Sequence, residues 1–591
     1  MSADGRATAA GAGTGAGDVT TAAGVAALAT TYWETWLELH PEEATVLGDH
    51  RYDDRLGDIT DADHAASRTR YAAIQAQAAS LDDAALTGED RVTLHALRAS
   101  VSADIADIDA DIDAWNVDPL EGVPVALLNI PSYQHLATPD DGAPMAARWR
   151  AMAPYADAHT ARLRASLADG RVACRAPTGR TLAILDELLA TPDERWPMLE
   201  PLEALPDLPG WSTADRERTA EALRTAVAAD IRPAFARLRD AIADEILPAS
   251  RTADQPGLGH VEGGAAAYRA LIRVHTSLDV SPEELHRIGT EEIARIDTET
   301  EALAGRVLGT RSRADALARL RGDPALHFTT RDEVAAKAQA ALARANAATP
   351  AWFGRLPQAP CEVVPMPAHE EEHSTIAYYR QPASDGSRPG QYYINTYAPE
   401  TRPRYEAEVL AYHEAVPGHH LQIAIGQELA HLPEFRKHLG PTAFFEGWGL
   451  YTERLADEMG LYSGDLDRIG VLSFDAWRAS RLVVDTGMHA LGWTRDQAIA
   501  YMTEHTALAP NNIVNEVDRY LSMPGQALAY KTGQLELLRL RTGARETLGP
   551  RFDIRAFHDT VLGSGALPLP VLRGVVARWI EARSGERPTP A

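Results

Sequence analysis

The chain has 591 residues, 45 % of them hydrophobic, and a formal net charge of −27. A length of this order exceeds what a single growing core usually holds, so one large domain of two lobes and a division into two or three domains are both admissible. Nucleic acid and anionic lipid are bound through surplus Lys and Arg, so the acid excess argues against both as partners.

In chain order, residues 1–24 ("MSADGRATAAGAGTGAGDVTTAAG") carry one Arg and many small residues but no apolar run of the signal-peptide kind, and are read as a disordered leader. No stretch of about 18 apolar residues follows anywhere, so no membrane span is expected. Cys174 and Cys361 cannot build a disulfide framework, and a cytoplasmic protein is the simpler reading. From about residue 25 the apolar residues recur at three and four, predicting helices over 25–39, 90–115 and 217–247. Ser281-Pro282-Glu283-Glu284, Thr330 with Glu333, and Thr494 with Gln497 carry helix-start signals. The acidic run Asp104 to Asp113 lacks the Gly turn and terminal Glu of a calcium loop, and reads as a solvated helix face.

Between about 358 and 400 the texture changes to short β-branched and aromatic runs, "CEVVPMP", "STIAYYRQ" and "GQYYINTY", which predict a small antiparallel sheet. The last run offers a possible edge strand for an extended peptide, with Tyr393 and Asn395 flanking the site; an ordinary sheet pair with an Asn turn is the plainer alternative. "HEEEH" from His369 to His373 resembles a metal cluster, but its place after "PMP" favours a polar loop. Helices return past 400, and the stretch of about 405–460 holds the strongest chemistry.

That chemistry begins with "YHEAVPGHHLQ" at 412–422. Zinc hydrolysis needs about three N or O ligands, an open position for water and a nearby carboxylate base. In the H-E-x-x-H form, histidines four apart share one helix face and the Glu after the first is the base. Here His413 and Glu414 supply the opening, but the second histidine comes late, as His419 or His420. On an ideal helix His419 would sit about 240° around from His413, while His420 would return near its face about 10 Å further along. Pro417 cannot bond the carbonyl of His413, so it kinks or bulges the helix, and a break there lets His413 and His419 converge. His419 is preferred because Gly418 before it leaves room; His420 is the reserve, with the spare histidine available to support the ligands. A third ligand should come from a neighbouring helix. Glu446, among Phe444, Phe445, Trp448 and Leu450, is a carboxylate in apolar company that needs a partner or a metal. Downstream, "VDRYLSMPGQALAYKTG" offers Tyr530, Tyr520 and Arg519 as donors to an oxyanion, and Lys531 or Arg519 for a substrate carboxylate; buried core tyrosine is the plain alternative for either Tyr.

With "HEAVPGHHLQ", "FFEGWGLYTERL" and "MPGQALAYKTG", the chain resembles the bacterial domain of unknown function 885 family over nearly its whole length, the Ala/Gly leader excepted. That family is similar to the mainly helical zinc carboxypeptidases. The resemblance implies a mainly α, zinc-peptidase-like fold over 25–590: one large domain of two lobes, a long cleft, and the small antiparallel sheet next to the active-site helix. It also implies a gluzincin-like centre in which His413, His419 and Glu446 hold one zinc ion and Glu414 is the general base; Tyr530 and Arg519, read from the residues themselves, are the expected assisting groups. The expected function is hydrolysis of peptide bonds, of carboxypeptidase, dipeptidase or oligopeptidase type. A metal-dependent hydrolase of a non-peptide amide or ester and a non-catalytic helical binding protein are the alternatives.

Overall fold

The computed structural model describes residues 22–585, apart from 58, 368–370, 372–374, 384–385 and 387. Residues 1–21 of the expected leader, and His369, Glu370, Glu372 and His373 of the HEEEH cluster, lie outside the described residues. Residues 22–24 of that leader belong to the first helix, Ala22–Leu39.

Helices dominate, and the start signals work locally. Ser281 accepts the amide of Glu284, Thr330 that of Glu333, and Thr494 with Gln497 forms a reciprocal capping box. Two of the long expected helices differ in detail. The second, Gly88–Ala110, stops short of Trp115 because Asp111 turns left-handed at φ 48°, with its carboxylate paired to Arg162 and Arg171. The third runs from Thr213 to Ala249 but passes through π-helical turns at Ala226–Ile231 and Ile242–Ile246. Pro233 and Pro248 lie just beyond these turns; without an N–H they cannot complete the α ladder, and wider turns before them accommodate the gap. Among the described residues no helix is long and apolar enough to cross a membrane.

The sheet is mixed rather than antiparallel. Strands β1 (Cys361–Pro365), β2 (Ala377–Arg380) and β3 (Gly390–Ile394) lie in the order β1-β3-β2, with β1 parallel and β2 antiparallel to β3. The strand expected at the edge is therefore central, and both of its hydrogen-bonding sides are taken by neighbours. Alternation turns Tyr392 and Ile394 inward and puts Tyr393 on the opposite face, stacked on its cross-strand partner Tyr378 with ring centroids 4.7 Å apart.

The largest core runs from Tyr71 and Leu97 through Tyr412, Trp448 and Leu537 to Phe557; a second gathers around Trp149, Trp196 and Phe235. The helix Asp465–Ala490 is buried around most of its circumference, so its charged residues must find partners inside. Asp475 takes Lys531 Nζ at 2.6 Å and Arg454 at 2.5 Å; Lys531 also reaches Glu292 at 3.0 Å, and Arg454 reaches Glu299 at 2.8 Å. These pairs tie helices Pro282–Leu308, Thr442–Glu458, Asp465–Ala490 and Leu528–Leu548 together. Thr442–Glu458 and Leu528–Leu548 cross in close contact at Gly447 and Gly533, where a Cβ on Gly533 would meet the Ala443 carbonyl oxygen at 1.9 Å.

Gly533→Ala should therefore force these helices apart and lower unfolding stability by about 1–3 kcal/mol or more. Denaturant titration measures this, and an unchanged midpoint would show that the crossing tolerates a methyl group.

Candidate metal centre

The helix Ala407–Glu414 ends one residue after His413, and a new helix, His419–Gln427, starts directly at His419. The break replaces the expected kink. Ala415 (ψ −106°) and Gly418 (ψ −129°) leave helical space, and the intervening Val416–Pro417 peptide is cis. Two side chains of the helix Thr442–Glu458 hold the broken ends: Trp448 Nε1 donates to the Pro417 carbonyl at 2.9 Å, and Thr452 Oγ1 donates to the Tyr412 carbonyl at 3.1 Å. The restart presses on the preceding helix so closely that a Cβ on Gly418 would lie 1.8 Å from the His413 carbonyl oxygen. Gly449 makes comparable room for the His413 ring, 2.7 Å from where its own Cβ would stand.

This backbone brings His413, His419 and Glu446 together, each offering a ligand atom within 4.8 Å of the others. The rings of His413 and His419 meet at 86°, with centroids 4.7 Å apart. Glu446 Oε2 stands 3.5 Å from Nε2 of both histidines and, though buried, has no hydrogen-bond partner among the described residues. That spacing is longer than a good hydrogen bond. Four-coordinate zinc holds N and O ligands at about 2.0–2.2 Å, which sets ligand atoms roughly 3.3–3.6 Å apart. A buried carboxylate oxygen without a hydrogen bond, at that distance from two imidazole nitrogens, fits a divalent cation better than it fits direct hydrogen bonding.

Glu453 is the supporting residue that sequence reasoning misses. Its Oε1 lies 2.8 Å from His413 Nδ1 and places the ring proton there, leaving Nε2 as the ligand atom. Its signal is its spacing, seven residues or two helical turns after Glu446, which returns it to the same face. Burial alone would lower the His413 pKa, but Glu446, Glu453 and Glu414 outweigh it and push the imidazole up to about 9. Burial likewise opposes ionisation of Glu446, yet the two histidines beside it hold its carboxyl well below the usual range.

His420 is placed elsewhere. Its Nδ1 meets the Tyr379 hydroxyl and its Nε2 the Ala359 carbonyl, both at 3.0 Å, so it ties the sheet to the site and stays neutral, its pKa lowered by burial to about 4. Glu414 is half-buried at the end of its helix.

Tyr530 and Arg519 belong to a second cluster, linked to the first through the helix Asp465–Ala490. Arg478 lies 3.8 Å from Glu453 Oε1 and stacks on Trp477; Arg481 stacks on Trp477 and, at 4.3 Å, on the Tyr530 ring. Arg519, one-fifth exposed, stands beside the Tyr530 hydroxyl, donates to Gln526 Oε1 at 2.9 Å and lies 3.6 Å from Glu516 Oε1. Two other candidates are excluded by their partners. Tyr520 donates to Glu516 at 2.6 Å and accepts from Arg481 at 3.0 Å, while Lys531 is buried with Asp475, Glu292 and Gln534 around its ammonium group, so it cannot bind a substrate carboxylate. Asn395 is consumed too, donating to the Glu371 and Thr375 carbonyls and accepting from Tyr397 N–H.

The family described as "Bacterial protein of unknown function (DUF885)" matches residues 41–576. A crystal structure of a lipoprotein candidate from Colwellia psychrerythraea is 26 % identical, covers 95 % of this chain and 100 % of its own, and superposes with a TM-score of 0.88. A lipoprotein candidate of unknown function from Shewanella oneidensis is 17 % identical, covers 94 % and 99 %, and has a TM-score of 0.69, a likeness of fold alone. No curated protein matches.

Glu453→Leu keeps side-chain bulk but removes the acceptor at His413 Nδ1, and should weaken zinc binding about 10–100-fold in competition with a chromophoric chelator. Undiminished affinity in a folded variant would dismiss Glu453 as a support. Since the metal-free His413 keeps its proton up to about 9, binding a cation must release it. Zinc affinity should thus climb about tenfold per pH unit between roughly pH 6 and 8, and a flat profile would contradict that proton release.

Proposed function

The chain belongs to the DUF885 family of bacterial proteins of unknown function, and within it we propose a zinc-dependent hydrolase that cleaves peptide bonds. The observation that carries the reading is the buried Glu446 oxygen, without a hydrogen bond among the described residues and 3.5 Å from Nε2 of both His413 and His419. Similarity to the helical zinc carboxypeptidases, with a long cleft along the His413 helix, forms part of the same proposal.

One zinc ion held by His413, His419 and Glu446 would supply a Lewis acid and bring the pKa of a water to about 7. The chain's own groups do the rest. Glu414, adjacent to His413 in the chain, takes the proton of the attacking water and delivers it to the leaving amine. Glu453 keeps His413 in the tautomer that faces Glu446. Tyr530, its hydroxyl beside the Arg519 guanidinium and its ring under Arg481, is the donor for the oxygen that gains negative charge. Arg519, one-fifth exposed and 3.6 Å from Glu516 Oε1, is the cation assigned to a substrate carboxylate, which it would bind in exchange for that longer pairing, favouring peptides with a free C-terminus. For the compartment the reading remains cytoplasmic, supported by Cys174 and Cys361 being unbridged; the two solved relatives are described as lipoprotein candidates.

Glu414→Gln should retain about one zinc per chain and lose peptide cleavage by at least about 100-fold, the usual scale of a general base. His419→Ala should lose the metal and His420→Ala should keep it. Metal analysis by plasma emission together with a peptide library reads all three. Full zinc with no peptide cleaved would turn the reading towards a non-peptide amide or ester, and persistent cleavage by Glu414→Gln would remove the assigned base.

A further inference from the structure

Beside the His413 helix lies a cavity of about 50 Å³. Its walls are Val334 and Ala338 of the helix Arg331–Ala348, Tyr392 and Ile394 of β3, and Ala407 and Leu410 of the His413 helix. Polar groups in the lining are already engaged: Arg402 Nε donates to the Tyr397 carbonyl at 3.2 Å, and Glu406 accepts from Ser473 Oγ at 3.1 Å. Burial pushes the Glu406 carboxyl up to about 7 and lowers the Arg402 pKa, so both report an environment that disfavours charge. A guest here is held by apolar contact.

The position of the cavity connects it to the proposed chemistry. Ala407, Leu410 and Glu414 are spaced by three and four, so they share one face of the helix. Leu410 precedes Glu414 by one turn, about 6 Å along the axis. Tyr392, which lines the cavity, has its hydroxyl pKa raised by burial and further by the charge of Glu414. The void thus lies on the face of the base, while His413 on the adjacent face turns towards Glu446 and Glu453.

We propose that this cavity is the specificity pocket of the site and takes a Val- or Leu-sized apolar side chain from a residue flanking the cleaved bond. The inference rests on the peptidase reading and names its substrate class. Pockets for drug-sized ligands run to about 300–1,000 Å³, so this void suits a single branched side chain rather than a ring-bearing cofactor. In an apolar pocket each methylene gained or missed changes selectivity by about 10–200-fold. Ala338 and Val334 line the cavity from the helix Arg331–Ala348: enlarging the first reduces its volume, and trimming the second increases it.

The test is calorimetric binding of N-acetyl-leucine amide and N-acetyl-glycine amide to the zinc-loaded Glu414→Gln protein, with and without a pocket substitution. The leucine probe should bind at least about tenfold more tightly than the glycine probe, and Ala338→Leu should erase that difference. Val334→Ala, which adds no bulk, should shift preference towards N-acetyl-phenylalanine amide and covers the case in which Ala338→Leu does not fold. Equal binding of the leucine and glycine probes, or a leucine preference untouched in folded Ala338→Leu and Val334→Ala proteins, would overturn the pocket. Because the readout is binding, a retained leucine preference without cleavage of any peptide would sink the peptidase reading and leave the pocket standing. Cleavage without any side-chain preference would do the reverse.

Discussion

A carboxylate oxygen withdrawn from water is tolerated only where other charges or a cation compensate it, and Oε2 of the partly buried Glu446 is such an atom. It is buried next to two imidazole nitrogens and behind it stands a second buried carboxylate, Glu453. The elements around it are arranged so that this combination can exist. His413 and His419 come from two helices that meet at a break, and both glutamates come from the helix Thr442–Glu458. The approach is close enough that side chains had to be dispensed with at Gly418 and Gly449.

The same helix faces outward from the centre into a network of buried ions. Burial opposes the Asp475 charge, but Lys531 and Arg454 beside it hold its carboxyl well below the usual range. Removing one member of such a network strands another inside the protein, so the helices it joins share one relative placement. The Arg478 and Arg481 guanidinium groups, stacked on Trp477, extend that order from Glu453 to Tyr530. A rigid frame of this kind is what a centre needs if imidazole and carboxylate atoms are to stay within a few tenths of an ångström of ligand spacing.

How much of this is legible in the chain depends on how local each signal is. The caps at Ser281, Thr330 and Thr494 concern three or four consecutive residues, and the structure shows each side chain accepting the expected amide. The three strand segments lie where β-branched and aromatic runs place them, but their order does not. A parallel β1–β3 pair requires β2 to fold back on the far side of β3, a choice made by packing between distant segments. Likewise the helical period runs straight through Asp111 and Pro233, whereas the backbone stops or widens at these places because ion pairs and a missing N–H intervene.

By itself the sequence determines that a mainly helical chain carries His413 and Glu414 ahead of a helix-breaking Pro-Gly, with a carboxylate downstream in apolar surroundings, since these follow from periodicity and the chemistry of single residues. Tertiary structure alone decides which of two adjacent histidines turns towards Glu446. His419 does so while His420 is claimed by Tyr379 and the Ala359 carbonyl, partners 41 and 61 residues away. It also decides that Glu453 orients His413 and that Lys531 is locked in an ion network. The reason is that hydrogen bonds and burial are settled by neighbours in space, and spacing along the chain constrains those neighbours only within one helix or one turn.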